Sequence, residues 1–287
     1  MNQKKSPSVD AYIFDIDNVI IDTRYSYTDC IRETVKTYLV TYLDYAPSKN
    51  SFLSQSDVEI FKLLGGFNDD WDTCYGLLLY LNQLPVAKKT LGQLKIQIDL
   101  KKLLRRSKTS LGVSGIENWF GTSKQISIEK IESIFQKLYW RVYIKKETPI
   151  LNQNVFKQLK SRSIKIGIAT GRNLKEARYV LKRFGISPYI DKMITMDHLP
   201  HPRFKKPNPY SLIEIIKAFG KNRRYVYVGD LPDDVRMAKA ISHQYKISGW
   251  GFNGMSQSKK DTSKALFKAG ATRVIRNAQE LKDALLS

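Results

Sequence analysis

Cysteine and histidine are scarce in this chain. Its 287 residues hold two cysteines, Cys30 and Cys74, and three histidines, His198, His201 and His243. No CxxC or Cys/His spacing links them, which argues against a disulfide framework or a zinc site and fits a reducing compartment. The histidines are too scattered for a histidine metal centre. Long apolar runs are missing too: none approaches the roughly 20 residues needed to cross a bilayer. The amino terminus, Met1 to Ser8, is basic with no apolar segment behind it. The next run, Ala11–Phe14, is short and ends in an aspartate, so no secretory signal is expected. These absences predict a soluble, cytoplasmic protein with no membrane partner.

Negative charge is also in short supply. There are 27 Asp/Glu against 48 Lys/Arg, a net charge of +21. Such an imbalance raises the question of a nucleic-acid partner. Residues 22–147 carry only +5 of the excess and the remainder +16, and no basic stripe interleaves with exposed aromatics. The densest run spans Lys95, Lys101, Lys102, Arg105, Arg106 and Lys108, and reads most simply as a solvated helix face. Nucleic acid is therefore the less favoured partner, and a small phosphorylated metabolite the favoured one on the chemistry below.

Hydrophobic periodicity divides the chain. Ala11–Phe14 reads as a buried strand ending at Asp15. Helical spacing then holds for more than a hundred residues. Ile31, Val35, Tyr38, Leu39 and Tyr42 share one face, and Ser56 with Glu59 has the form of a capping box. Further helices are expected over 70–81, 95–106 and from Ser127 to about Tyr143, with 107–127 a long Gly/Ser/Thr-rich loop. After Pro149 strand and helix alternate. Strands are expected at 164–169, 192–196, 224–228, 247–252 and 272–275. Helices are expected at 155–159, 174–184, 209–219, 234–242, 263–269 and 278–285. The expected fold class is α/β: an open, Rossmann-like parallel sheet with helices on both faces, interrupted after its first strand by an inserted α-helical domain. The expected boundaries are 1–21 with 148–287 for the α/β core and 22–147 for the insert.

In open parallel sheets ligands bind beyond the carboxyl ends of the strands. Four such places carry reactive side chains: Asp15-Ile-Asp17, Thr170, Lys206, and Gly229-Asp230 followed by Asp234. Any one alone could be a turn cap or a surface charge. Together they supply what a phosphate ester demands. A phosphate dianion repels a carboxylate nucleophile, so its charge must be cancelled. Mg²⁺ takes carboxylate, phosphate and water oxygens; Asp15 and Asp230 can ligate it, and Asp234 can hold its waters. Lys206 adds a compact positive charge and Thr170 a hydroxyl donor. Asp15 can then attack phosphorus, while Asp17 can protonate the leaving oxygen and later activate water.

These segments, Asp15-Ile-Asp-Asn-Val19, Ala169-Thr-Gly171, Lys206-Pro-Asn-Pro209 and Gly229-Asp230-x-x-x-Asp234, resemble in order the four motifs of the haloacid dehalogenase-like hydrolases. The position of the helical insert resembles the type 1 cap of the phosphoglycolate-phosphatase and β-phosphoglucomutase branch. The resemblance implies Asp15 as nucleophile and Asp17 as acid/base. It implies phosphate binding at Thr170, Gly171 and Lys206, and metal binding at Asp15, Asp230, Asp234 and the backbone carbonyl of Asp17. Asp233 reads as a bystander. Two departures stand out. Asn18 replaces the usual glycine, though asparagine tolerates positive φ, and Lys205 sits beside Lys206 as a competitor for the phosphate.

The expected reaction is Mg²⁺-dependent hydrolysis of a small phosphate monoester through an aspartyl phosphate. The alternatives are a phosphomutase acting on a sugar phosphate and a nucleic-acid end-processing phosphatase. A non-catalytic binder is disfavoured because no motif position is lost. Asp17 argues against a dehalogenase, which needs no proton donor there. For substrate choice the distinctive segment is Leu63–Asp72, with Gly65-Gly66 and then Asn68-Asp69-Asp70-Trp71-Asp72. It suits either a substrate-facing loop or a plain interhelical turn capped by Asn68 or Asp69. Lys88, Lys89 and Arg172 are further candidate substrate contacts, each read first as a surface residue.

Overall fold

In a computed structural model, residues 9–48, 52–107 and 109–287 are described. The amino-terminal octapeptide and Lys108 of the basic run lie outside them. The chain divides into two compact units. One comprises the chain up to Asp22, Pro149–Met255 and Ser263–Ser287, and the other Thr23–Thr148 with Ser256–Thr262.

The first unit is built on parallel strands β1 (Ala11–Phe14), β2 (Lys165–Ala169), β3 (Lys192–Ile194), β4 (Tyr225–Gly229), β5 (Ile247–Phe252) and β6 (Arg273–Ile275). Their order across the sheet is β3-β2-β1-β4-β5-β6, the doubly wound order in which the connection reverses between β1 and β4. β1 is flanked on both sides: Phe14 lies opposite Ile168 of β2 and Val228 of β4. Strands buried on both faces read as unbroken apolar runs, and β1 does so, with all four residues buried. Tyr12 and Phe14 join Val155, Phe156, Ala177, Val180 and Leu281 in one core. Ala11 and Ile13 join Leu212, Ile215, Met237 and Ala238 in another. Helices therefore cover both faces, as the alternating pattern requires.

The second unit is helical. Its described helices include Asp29–Tyr42, Gln55–Lys62, Asp70–Asn82, Leu91–Gln97, Leu100–Arg106, Gly112–Phe120 and Ile128–Arg141. They share a core containing Tyr38, Phe61, Phe67, Leu78, Ile131, Phe135 and Tyr139. Cys30 and Cys74 are both buried free thiols in this unit.

Three local expectations are corrected here. The capping box lies two residues earlier. Ser54 accepts from Asp57 N–H while the Asp57 carboxylate accepts from Ser54 N–H. Glu59 instead accepts from the N–H groups of Gln257 and Ser258 and from the Thr262 hydroxyl. The expected helix over 95–106 is two helices, because Asp99 caps a new start by accepting from Lys102 N–H at 2.8 Å. The expected loop over 107–127 contains the helix Gly112–Phe120. There Gly112 and Gly115 mask a helical stripe of Val113, Ile116 and Phe120, of which Ile116 is fully buried. The basic run does lie on exposed faces, with Leu100 and Leu103 turned inward beneath Lys101, Lys102, Arg105 and Arg106.

The Gly65-Gly66 turn has a packing reason within the helical unit. Both residues hold positive φ, 80° and 79°. Leu111 N–H donates to Leu64 C=O and Gly112 N–H to Gly65 C=O, so two backbone segments run side by side. A Cβ on Gly66 would stand 2.5 Å from Gly112 Cα. Asp69 caps the next helix through Trp71 N–H. Gly65, Gly66 and Asp69 are thus each accounted for as parts of an interhelical turn.

Candidate active site

The switch point between β1 and β4 decides where reactive groups meet. Asp15 follows β1 and Asp230 follows β4, so two carboxylates flank the reversal. Thr170 follows β2 on the other side of β1. Ligand oxygens of Asp15, Asp230 and Asp234 all lie within 4.8 Å of one another. Residues separated by more than 200 positions are thereby brought into one group.

The local backbone explains the spacing. After Asp15 the chain turns back on itself: Ile20 and Ile21 N–H donate to Ile16 C=O, and Asn18 N–H donates to Ile21 C=O. Asn18 adopts φ 52°, the conformation its place in the motif calls for. Its amide does a second job that sequence reading missed, donating to Asp230 Oδ2 at 3.2 Å. At the end of β4 a Cβ on Gly229 would fall 2.2 Å from Asp234 Cβ. Only glycine there lets the Asp234 side chain fold back against the strand.

Asp234 is the organiser of the buried side of the site. Its Oδ1 accepts from Lys206 Nζ at 2.7 Å and from the Tyr227 hydroxyl at 2.8 Å, and its Oδ2 accepts from Leu231 N–H at 3.1 Å. Tyr227, two residues before Gly229, is a member sequence reading did not find. A tyrosine in the middle of a parallel strand must place its hydroxyl on a partner, and that is the signal that points to it. Burial and the Asp234 charge push the Tyr227 hydroxyl well above its ordinary value, so it stays a donor.

Lys206 Nζ also stands 3.0 Å from Asp15 Oδ1. Of the two adjacent lysines, Lys206 is the one shown inside the acidic group. Burial opposes its charge, but Asp15 and Asp234 outweigh that and hold it well above the ordinary lysine value. Asp15 is itself buried, and its Oδ1 pairs by charge with Lys206 without a well-aligned hydrogen-bond donor. The Asp15 carboxyl is pushed up to about 7: burial raises it most, Lys206 opposes the rise, and Asp234 and Asp17 add to it. Three carboxylates, one of them with an oxygen that lacks a hydrogen-bond donor, suit a hard divalent cation rather than a thiolate- or imidazole-seeking metal.

Thr170 Oγ1 accepts from Arg172 N–H at 3.2 Å, which leaves the hydroxyl proton available to an anion. Arg172 is the main correction at the site. It is buried, not a surface residue, and its side chain reaches Asp17 Oδ1 through Nε at 3.0 Å and Nη2 at 2.6 Å. Lys88 and Lys89 are exposed. Asp233 is buried in an ion pair with Arg236 at 2.6 Å and stands outside the three-carboxylate group.

A family description, haloacid dehalogenase-like hydrolase, matches residues 9–242. The chain belongs to this family. Among haloacid dehalogenase-like proteins, the phosphoglycolate phosphatase of Nitrosococcus oceani is 25% identical over 64% of this chain and 78% of its own length. A Lactobacillus delbrueckii subsp. bulgaricus structure, provisionally named a phosphoglycolate phosphatase, has a TM-score of 0.67 at 17% identity, covering 97% of this chain and 99% of that one. A Thermotoga maritima structure, provisionally named a β-phosphoglucomutase, has a TM-score of 0.55 at 18% identity over 96% of this chain and 98% of its own. These two likenesses establish a shared fold. Among the described residues no helix is long and apolar enough to cross a membrane.

Proposed function

We propose that this hydrolase is a Mg²⁺-dependent phosphatase that cleaves a small phosphate monoester through a phosphorylated Asp15. The observation that carries the reading is the convergence of Asp15, Lys206, Asp230 and Asp234 at the sheet's switch point. Asp15 and Asp230 would hold the cation. Asp234, with both oxygens already accepting, would act on it through water and keep Lys206 in place. The cation's contribution is to cancel phosphate charge and so allow an anionic nucleophile to approach.

The chain's own residues do the rest. Lys206 and the Thr170 hydroxyl, with Gly171 beside it, bind phosphoryl oxygens. Asp15 forms a bond to phosphorus as the bond to the leaving oxygen breaks, and Asp17 gives that oxygen a proton. A water then attacks the phosphorus and passes its proton to Asp17. The acyl phosphate bond breaks, releasing orthophosphate and restoring Asp15. Both steps balance with water as the second substrate. The buried thiols Cys30 and Cys74 fit a reducing compartment, so cytosolic placement belongs to the same proposal.

The test is phosphate release from a panel of phosphorylated acids, sugars, polyols, nucleotides and end-phosphorylated oligonucleotides. 2-Phosphoglycolate heads the panel because of the Nitrosococcus oceani relative's name. Release should require Mg²⁺ and vanish in Asp15→Asn. Release without Mg²⁺, or surviving in Asp15→Asn, defeats the mechanism. Preference for oligonucleotides would move the substrate class to nucleic-acid ends, and transfer to a sugar hydroxyl would make the enzyme a mutase.

A further inference from the structure

We infer that Arg172 is a positioning residue for Asp17, holding one carboxylate oxygen so that the other handles the proton in both half-reactions. The inference rests on the phosphatase reading above. Three observations carry it, all within the α/β unit. First, Nε and Nη2 of Arg172 both donate to Asp17 Oδ1. A guanidinium meeting a carboxylate commonly engages both oxygens side by side; here two donors converge on one. Among the described residues, no contact shown engages Oδ2.

Second, the arginine is launched from a fixed point. Its N–H donates to Thr170 Oγ1 at 3.2 Å, and its C=O accepts from Met196 N–H at 3.0 Å. The next residue, Asn173, caps the following helix by accepting from Glu176 N–H. Third, burial is lopsided. The Arg172 side chain is 1% exposed while that of Asp17 is 29% exposed. The arginine thus reaches Asp17 from the protein side and leaves its opposite side to solvent and substrate. The turn Asp15–Ile21 fixes the Asp17 backbone, and Arg172 supplies the missing restraint on its side chain.

This arrangement makes a distinctive kinetic forecast. An alkyl phosphate needs a proton on its leaving oxygen, whereas p-nitrophenolate leaves without one. Hydrolysis of the phosphoenzyme needs Asp17 in either case. With Arg172→Gln in the full chain and Mg²⁺, kcat on an alkyl phosphate should fall about 100-fold, with KM little changed. On p-nitrophenyl phosphate the first turnover should persist. It should appear as a burst of p-nitrophenolate followed by a slow steady state, with phosphorylated protein recoverable after acid quenching. Arg172→Lys, able to offer one donor to Oδ1, should recover part of the rate, and it carries the test if Arg172→Gln does not fold.

In an Asp17→Asn background Arg172→Gln should add less than about a threefold loss, because two residues acting as one unit do not have additive effects. Losses that multiply, a rise in KM at unchanged kcat, or an equal fall on both substrates without a burst would overturn the inference. A wild-type protein that releases no phosphate from any substrate would overturn the phosphatase reading itself, which is a separate result.

Discussion

The two units use the same unusual residues for opposite ends. In the α/β unit Gly229 lets Asp234 fold against β4, and Asp234 then holds Lys206. In the helical unit Gly66 lets one backbone pass close to another, and Asp69 caps a helix. Glycine followed by aspartate shapes a cluster of carboxylates in the first case and backbone packing in the second. The difference is architectural. Parallel strands all end at one edge, so polar residues placed after β1, β2 and β4 must meet. Helices in a bundle end in many places, and the polar residues at their ends meet mainly their own backbones.

Substitutions can sharpen or break this contrast. The largest expected effect is at Asp15. Removal of a nucleophile from a concerted set costs on the order of 10⁴-fold or more in kcat, and Asp15→Asn should do so without loss of folding as followed by circular dichroism. Retained folding with residual activity within tenfold of wild type would deny it the central role.

Next come the paired glycines. Gly229→Ala should abolish turnover, because its Cβ would stand 2.2 Å from Asp234 Cβ. Gly66→Ala should instead lower stability by about 3 kcal/mol, combining a positive-φ penalty with overpacking, and leave kcat within a few-fold. Urea unfolding and steady-state kinetics read the two effects. If Gly66→Ala stopped turnover at unchanged stability, the glycine turn would have a catalytic part and the contrast would fail.

The third effect is on pH dependence. The Asp15 carboxyl is raised from 3.8 to about 7 in the folded protein. Between those values the unfolded chain has lost the proton and the folded one still holds it. The metal-free protein should therefore lose stability as pH rises from about 4 to about 7, and change little from this group above that. Mg²⁺ takes the ionised carboxylate, so its binding must release the proton below pH 7. Its affinity should be about tenfold weaker at pH 6 than at pH 8. The gain in Tm on adding Mg²⁺ should be larger at pH 8; an equal gain at both would place the ion elsewhere.

The smallest effect is Asp69→Ala. Loss of an N-cap costs about 1 kcal/mol, visible as a lower urea midpoint, with kcat unchanged.

Much of the candidate site was legible because it is written at strand ends. Asp15, Thr170 and Asp230 each follow an apolar run, and β-α alternation alone requires those ends to share an edge. The positive φ of Asn18 was also foreseeable from its place after Asp17. Arg172 was not. Its exposure depends on where Asp17 lies, 155 positions away, and nothing in its neighbours Gly171 and Asn173 distinguishes a buried guanidinium from a solvated one. Tyr227 was hidden for a related reason: in a buried strand its ring reads as core, and its hydroxyl's partner comes from the following helix. In the helical unit Ser54 takes the capping role with Asp57, while Glu59 is engaged by residues 257–262, which are far from it in sequence.

The sequence by itself thus determined the class of fold and pointed to the candidate nucleophile, because apolar periodicity and its breaks are local properties. The tertiary structure alone decided that Asp234 is held by Lys206, Tyr227 and Leu231, and that Arg172 is buried against Asp17. It also decided that the Gly65-Gly66 turn packs on Gly112. Each of these depends on which segments become neighbours, and in a doubly wound sheet that is set by strand order in space and not by order along the chain.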